Sequence, residues 1–182
     1  MRAVTPLIFV AALTAAGISA ASGKNAKGHL LIIGGGRQPA ELTERFIQLA
    51  GGTNRAKVVV IPMASESPAE SGEHQVAEFK SRGVANVASV VLTREEATNR
   101  AATTRLDGAT GVFFTGGDQS RLAAIIGDSP VHQKLKDLYA DGAVLGGTSA
   151  GAAVMSKVMI TGEELLNDDK TNGFKFIKRR PA

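Results

Sequence analysis

Ser149 stands between small residues in Gly147-Thr148-Ser149-Ala150-Gly151, the spacing G-x-S-x-G, where the apolar run from Gly142 to Gly147 gives way to a helix-like segment. A serine on so tight a strand-to-helix turn has its hydroxyl aimed out of the sheet, and the flanking glycines leave empty the space that β-carbons would fill. The chemistry this offers is attack on a carbonyl, with the Ala150 N–H at the helix start donating to the developing oxyanion. Taken alone, the five-residue spacing fits a helix N-cap or a plain loop as well. Thr115-Gly116-Gly117-Asp118-Gln119 has the same double reading. It is a turn with an Asp or Gln helix cap. Beside Ser149, it is instead a source of a Gly116 or Gly117 N–H for the other half of an oxyanion hole, with Gln119 a polar group at the site mouth.

A hydroxyl is a poor nucleophile without a base, and the chain has three histidines. His29 opens the first strand, so a five-residue strand of roughly 16 Å separates it from the end that carries Ser149. His74 falls early in the helix after the second strand, on the correct side but displaced laterally. His132 follows Gly127-Asp128-Ser129-Pro130 and reads as a helix-surface residue. The residues therefore present a nucleophile and no base. The histidines lack ligand spacing, H-E-x-x-H does not occur and there is no cysteine, so no metal site is expected. Nor is a nucleotide cofactor. Gly34-Gly35-Gly36-Arg37-Gln38-Pro39 has a proline where the third glycine of a dinucleotide fingerprint belongs, no acidic residue ends the second strand at Val60-Ile61-Pro62, and no Walker lysine is present.

What positions these groups is an alternation of short apolar runs and longer amphipathic ones. His29 to Ile33, Ala56 to Pro62, Val87 to Leu92, Gly111 to Phe114 and Ala143 to Leu145 are rich in Val, Ile, Leu and Phe with little polar alternation, as strands buried on both faces of a parallel sheet read. Pro39 to Ala50, Pro68 to Arg82, Thr93 to Leu106 and Gln119 to Tyr139 have helical spacing, with Pro39 and Pro68 suited to a first helical turn. The pattern predicts an α/β fold, an open, mostly parallel three-layer sandwich in one domain. Ligands of such sheets bind beyond the carboxyl ends of the strands. Three glycine clusters fall there: Gly34-Gly35-Gly36, the Gly116-Gly117 turn and Gly147 to Gly151. Gly35 and Gly36 thereby become candidates for close backbone approach to a substrate.

The ends and the charge set the context. Arg2, the apolar run Leu7 to Gly17 and Ser19-Ala20-Ala21 have the organisation of a signal peptide over residues 1–21, too short for a membrane anchor, which predicts export to the periplasm or medium. Roughly 160 residues then remain, enough for a core that needs no disulfide. The net charge is only +4, there is no Trp and one Tyr, and the dense basic cluster (Lys175, Lys178, Arg179, Arg180) lies at the C-terminus as a solvated tail, so nucleic acid is not an expected partner.

The run Gly146 to Ser156, together with Phe113-Phe114-Thr115-Gly116-Gly117-Asp118-Gln119 and Leu31-Ile32-Ile33-Gly34-Gly35-Gly36, resembles the cyanophycinase family of serine peptidases, which also holds the aspartyl dipeptidases. The resemblance covers about residues 29 to 178. It implies a class I glutamine amidotransferase-like (flavodoxin-like) sandwich and a metal-free, cofactor-free exopeptidase. The implied substrate is cyanophycin, poly-aspartate with arginine on its β-carboxyls, or another Asp/Arg-containing peptide, and the product is β-aspartyl-arginine; a homodimer is the assembly it allows. By position, Ser149 matches the nucleophile, Gly117 and Ala150 the oxyanion-hole amides, and Gln119 a glutamine of the substrate pocket. Glu163 and Glu164 read either as partners of a substrate guanidinium or as solvated loop charges. The family pattern continues with an Asp-Gln-His-Phe type segment that carries the catalytic histidine, and this sequence stops at Ala182 without it. The expectation is therefore a peptidase domain over residues 29–182 that is incomplete at its C-terminal end. Three outcomes follow: a peptidase, a secreted remnant that keeps the pocket without turnover, or a related dipeptidase or amidase acting on acidic peptides.

Overall fold

Lys57-Val58-Val59-Val60-Ile61 is apolar at every position after the first, and in the computed structural model, which describes residues 26–164 and 177–181, it is an inner strand of a parallel sheet. The strands are β1 (His29–Ile33), β2 (Lys57–Ile61), β3 (Asn86–Ser89), β4 (Gly111–Phe114) and β5 (Val144–Thr148), in the spatial order β1-β5-β4-β2-β3. Every pairing among them is parallel. Between them run α1 (Ala40–Leu49), α2 (Pro68–Ser81), α3 (Arg94–Thr98), a 3-10 segment (Arg100–Leu106), α4 (Gln119–Ile126) and α5 (Pro130–Asp141). This is the expected open α/β sandwich.

Because side chains alternate along a strand, an unbroken apolar strand feeds two cores. Val58, Val60 and Phe113 face one layer with Phe46, Ile47 and Phe79 of α1 and α2. Val59, Ile61, Val112 and Phe114 face the other with Leu122, Ile126, Val131 and Leu135 of α4 and α5. Three rings form the centre of the first layer, Phe46 at 5.3 Å from Phe79 and 5.4 Å from Phe113, the latter edge-on at 85°. Gly111 and Gly146 make room for Phe46: a Cβ on either would lie within 3 Å of its ring.

The structure corrects four expectations. β1 is an edge strand and is buried on one side only: Leu31 and Ile33 pack into the Phe46 layer, whereas Leu30 and Ile32 are 44% and 63% exposed. The single helix expected over Thr93 to Leu106 breaks at Asn99, whose extended backbone and side chain cap the 3-10 segment by accepting from the Ala101 N–H. α3 itself starts in a reciprocal capping box between Thr93 and Glu96. The helix expected over Gln119 to Tyr139 is two, because Asp128 at φ 50° turns the chain and Ser129 caps a new helix that has Pro130 in its first turn. Finally, β6 (Val158–Glu164) pairs antiparallel with β7 (Ile177–Pro181) as a separate two-stranded sheet where a loop and a solvated tail were expected. The predicted signal peptide lies outside the described residues.

Candidate active site

The register brings three strand tips to one line. Ile33 of β1 pairs with Thr148 of β5, and Phe114 of β4 with Gly147, so the loops after β1, β5 and β4 are neighbours. Ile61 pairs with Phe114 and adds the loop after β2. The Ser149 N–H continues the ladder by donating to the Ile33 carbonyl at 2.9 Å, after which α6 (Ala150–Ala153) begins.

Ser149 is one of two described non-glycine residues with positive φ, at φ 52° and ψ −115°. A backbone held there is strained by about 1–3 kcal/mol and persists only where its surroundings enforce it. Those surroundings are glycines. A Cβ on Gly147 would sit 2.4 Å from the Gly151 carbonyl oxygen, and one on Gly151 2.3 Å from that of Phe114, so the turn closes only without side chains at both places. The strand-to-helix elbow expected from G-x-S-x-G is present, and Ser149 is exposed at its apex.

Around the serine, a Cβ on Gly35 would lie 3.7 Å from Ser149 Oγ, and one on Gly116 3.6 Å from Ser149 Cβ, so both glycine loops meet Ser149. Gly36, at φ 75°, has open space where its Cβ would be. Gly117, at φ 136°, lies flat on the Ala64 carbonyl: a Cβ would be 2.1 Å from that oxygen. Neither the Gly117 nor the Ala150 N–H has a hydrogen-bond acceptor among the described residues, which leaves both free to donate. Asp118 caps α4, its Oδ1 accepting from the N–H groups of Ser120 and Arg121, so the helix-cap reading of this loop holds. Gln119 is engaged: its Nε2 donates to the Ile160 carbonyl at 2.8 Å and ties α4 to β6. Glu163 and Glu164 are the last two residues of β6, in a strand and not in a loop, with Glu164 in register with Ile177. The loop after β2 was not read from the sequence as part of the site. Its signal was its place, Pro62-Met63-Ala64-Ser65, at the same carboxyl edge.

No histidine is hydrogen-bonded to the serine among the described residues. His29 pairs with Val144 at the far end of β5 and is exposed. His74 is an exposed residue of α2. His132 differs from the surface residue expected of it. It is half-buried, and its Nδ1 accepts from the Asp128 N–H at 3.3 Å. Ser149 Oγ has no hydrogen-bond partner among the described residues, and these include no group of three or more His, Cys, Asp or Glu that could hold a metal ion. Burial, and then the charge of Lys136, push the His132 imidazole below its ordinary value of 6.5, with Asp128 opposing. A lowered imidazole pKa favours the neutral ring in the fold, so its stabilisation is complete above the unfolded value and is lost as pH falls through 6.5 toward the folded one. The thermal midpoint should therefore drop as pH falls below 6.5, and His132→Gln should flatten that part of the profile.

The model of peptidase family S51 matches residues 30–180. The cyanophycinase of Geminocystis herdmanii is 36% identical over 138 residues, 73% of this chain and 50% of that protein. The cyanophycinase of Synechococcus elongatus is 37% identical over 139 residues, 74% of this chain and 43% of that protein. The chain thus spans about half the length of the curated relatives it matches. Among solved structures, a peptidase from an acI-B1 actinobacterium superposes with a TM-score of 0.62 at 27% identity, over 75% of this chain and 60% of that one. A putative peptidase E protein of Listeria monocytogenes shares the fold, with a TM-score of 0.50 at 20% identity over 70% of this chain and 60% of that one.

Proposed function

Because the chain belongs to peptidase family S51, we propose that Ser149 is the nucleophile of a serine peptidase acting on cyanophycin or a similar Asp/Arg-containing peptide. The strained, exposed elbow at Ser149 carries this reading, since a helix cap or a plain loop has no need of a serine at φ 52°. In the proposed reaction Oγ attacks the scissile carbonyl as its proton passes to a base. The Gly117 and Ala150 N–H groups donate to the oxygen that becomes negative. None of His29, His74 and His132 is hydrogen-bonded to Ser149 Oγ, so the proposed reaction requires a base that the described residues do not supply. Gly35 and Gly36 border the acyl side, while Gln119, Glu163 and Glu164 are the proposed contacts to the substrate's amide and guanidinium groups. Export through residues 1–21 and a homodimeric state belong to the same proposal.

Release of β-aspartyl-arginine from purified cyanophycin, followed for this chain and its Ser149→Ala variant, tests it. Release by the parent at least about tenfold above the variant is expected; equal, background release by both rejects peptidase action by this chain. That no histidine is hydrogen-bonded to Ser149 Oγ among the described residues favours a second reading, a protein that keeps the pocket and binds without turnover. Ser149-independent co-sedimentation with the polymer, in the absence of release, would identify it.

A further inference from the structure

Next to the nucleophile, one carbonyl receives more donors than its neighbours. The oxygen of Ala64, a fully buried residue in the loop after β2, accepts from the Asp118 N–H at 2.8 Å and from Arg121 Nη1 at 3.1 Å. The same oxygen is the surface on which Gly117 rests. Arg121 reaches it from the first turn of α4, where its own N–H is held by Asp118. Its other nitrogen, Nη2, lies 3.8 Å from Glu66, but Glu66 is 91% exposed, and a pair so solvated and so long contributes little. The charged donor's main contact is therefore the carbonyl.

We propose that Arg121 is a positioning residue: by clamping the Ala64 carbonyl it sets where the Gly116-Gly117 loop stands beside Ser149. Gly117 has no side chain to hold it, and its φ of 136° belongs to a backbone that glycine alone adopts readily. What restrains it is the Asp118 N–H bond to Ala64, and that bond is only as fixed as the oxygen that accepts it. A guanidinium on the second lone pair anchors the oxygen to α4 and, by polarising it, strengthens the Asp118 bond. Without Arg121 the loop after β2 and the loop after β4 are joined at this point by a single neutral hydrogen bond. The Gly117 N–H then wanders from the place where an oxyanion would form. Its role as a donor rests on the functional reading above; the clamp does not.

Arg121→Met keeps the aliphatic stem and removes the donors. Amide exchange at Asp118 is expected to speed up by about tenfold or more in this variant, with the unfolding midpoint nearly unchanged. Arg121→Lys, still charged and able to give one bond, should restore most of the protection, and Glu66→Gln should leave it as in the parent. On cyanophycin the Met variant should lose about tenfold or more in kcat at constant KM, the signature of a misplaced transition-state donor. Unchanged Asp118 exchange in Arg121→Met overturns the clamp, as does an equal effect from Glu66→Gln. Should the Met variant unfold, the Lys variant decides through the same exchange measurement, and protection at Asp118 as low as that of a neighbouring free amide overturns the clamp. Absence of turnover in the parent would count against the peptidase reading alone, since the exchange result does not depend on it.

Discussion

Phe46→Ala is expected to destabilise the domain by about 3–5 kcal/mol, the usual result of emptying a fully buried aromatic site. Phe46 is 0% exposed and touches both Phe79 and Phe113 at ring-centroid distances of 5.3 and 5.4 Å. The loss has two parts. The variant has no ring to remove from water, so the favourable burial of that apolar surface on folding is lost. The hole left behind is lined by Gly111 and Gly146, which have no side chains with which to refill it. A domain of this size has only about 5–15 kcal/mol in total, so the variant should unfold at much lower urea with a similar slope. Phe46→Leu, which keeps most of the volume, should lose markedly less. A midpoint shift for Phe46→Ala no larger than for the Leu variant would show that this layer is not organised around the ring.

Gly151→Ala is the second large effect, and it arises by overcrowding. The added Cβ would stand 2.3 Å from the Phe114 oxygen, 2.7 Å from its carbonyl carbon and 2.7 Å from the Thr115 oxygen. All three are backbone atoms at the end of β4, so no rotamer change relieves the contact, and α6 must lift away from the sheet. Overpacking of this kind costs about 3 kcal/mol. Lifting α6 also moves the Ala150 N–H relative to Gly117 and Ser149. Displacement of a reacting group by about 1 Å can lower turnover about 100-fold, so Ser149-dependent release should fall further than the loss of folded protein explains. Gly34→Ala is the matched control. A Cβ there meets nothing within 4 Å and φ is ordinary, so its stability should stay within about 0.5 kcal/mol of the parent. Equal stability of the Gly151 and Gly34 variants would mean that the helix is free to move off β4.

The contrast between those glycines shows where the sequence stops being informative. Gly34, Gly35 and Gly36 are consecutive and identical in type, yet Gly35 lies against Ser149 while Gly34 and Gly36 border open space. Strands were legible because burial between two layers demands uninterrupted apolar runs. β1 departed from that rule because its run is as apolar as the others while its position is at the edge, and edge position is a property of the sheet, not of the run. The helix breaks at Asn99 and Asp128 follow from side-chain caps at Asn99 and Ser129, which periodicity does not register. β6 and β7 pair across twelve intervening residues, 165–176, and such pairing leaves little trace in local spacing.

Two things were determined by the sequence alone. One is that the turn around Ser149 is free to be tight, because Gly147 and Gly151 carry no β-carbons to obstruct it. The other is the placing of each glycine cluster at a strand's carboxyl end, because strand direction follows from chain order in a βαβ fold. Tertiary structure alone decided that β1, β5 and β4 are neighbours, so that loops more than a hundred residues apart converge on Ser149. It also decided that Ala64 supports Gly117, that Gln119 is tied to Ile160, that His29 stands at the far end of the sheet and that His132 is bonded to Asp128. These are contacts between elements, set by strand order and by backbone packing at close range, and neither is encoded in the spacing of residues along any one segment.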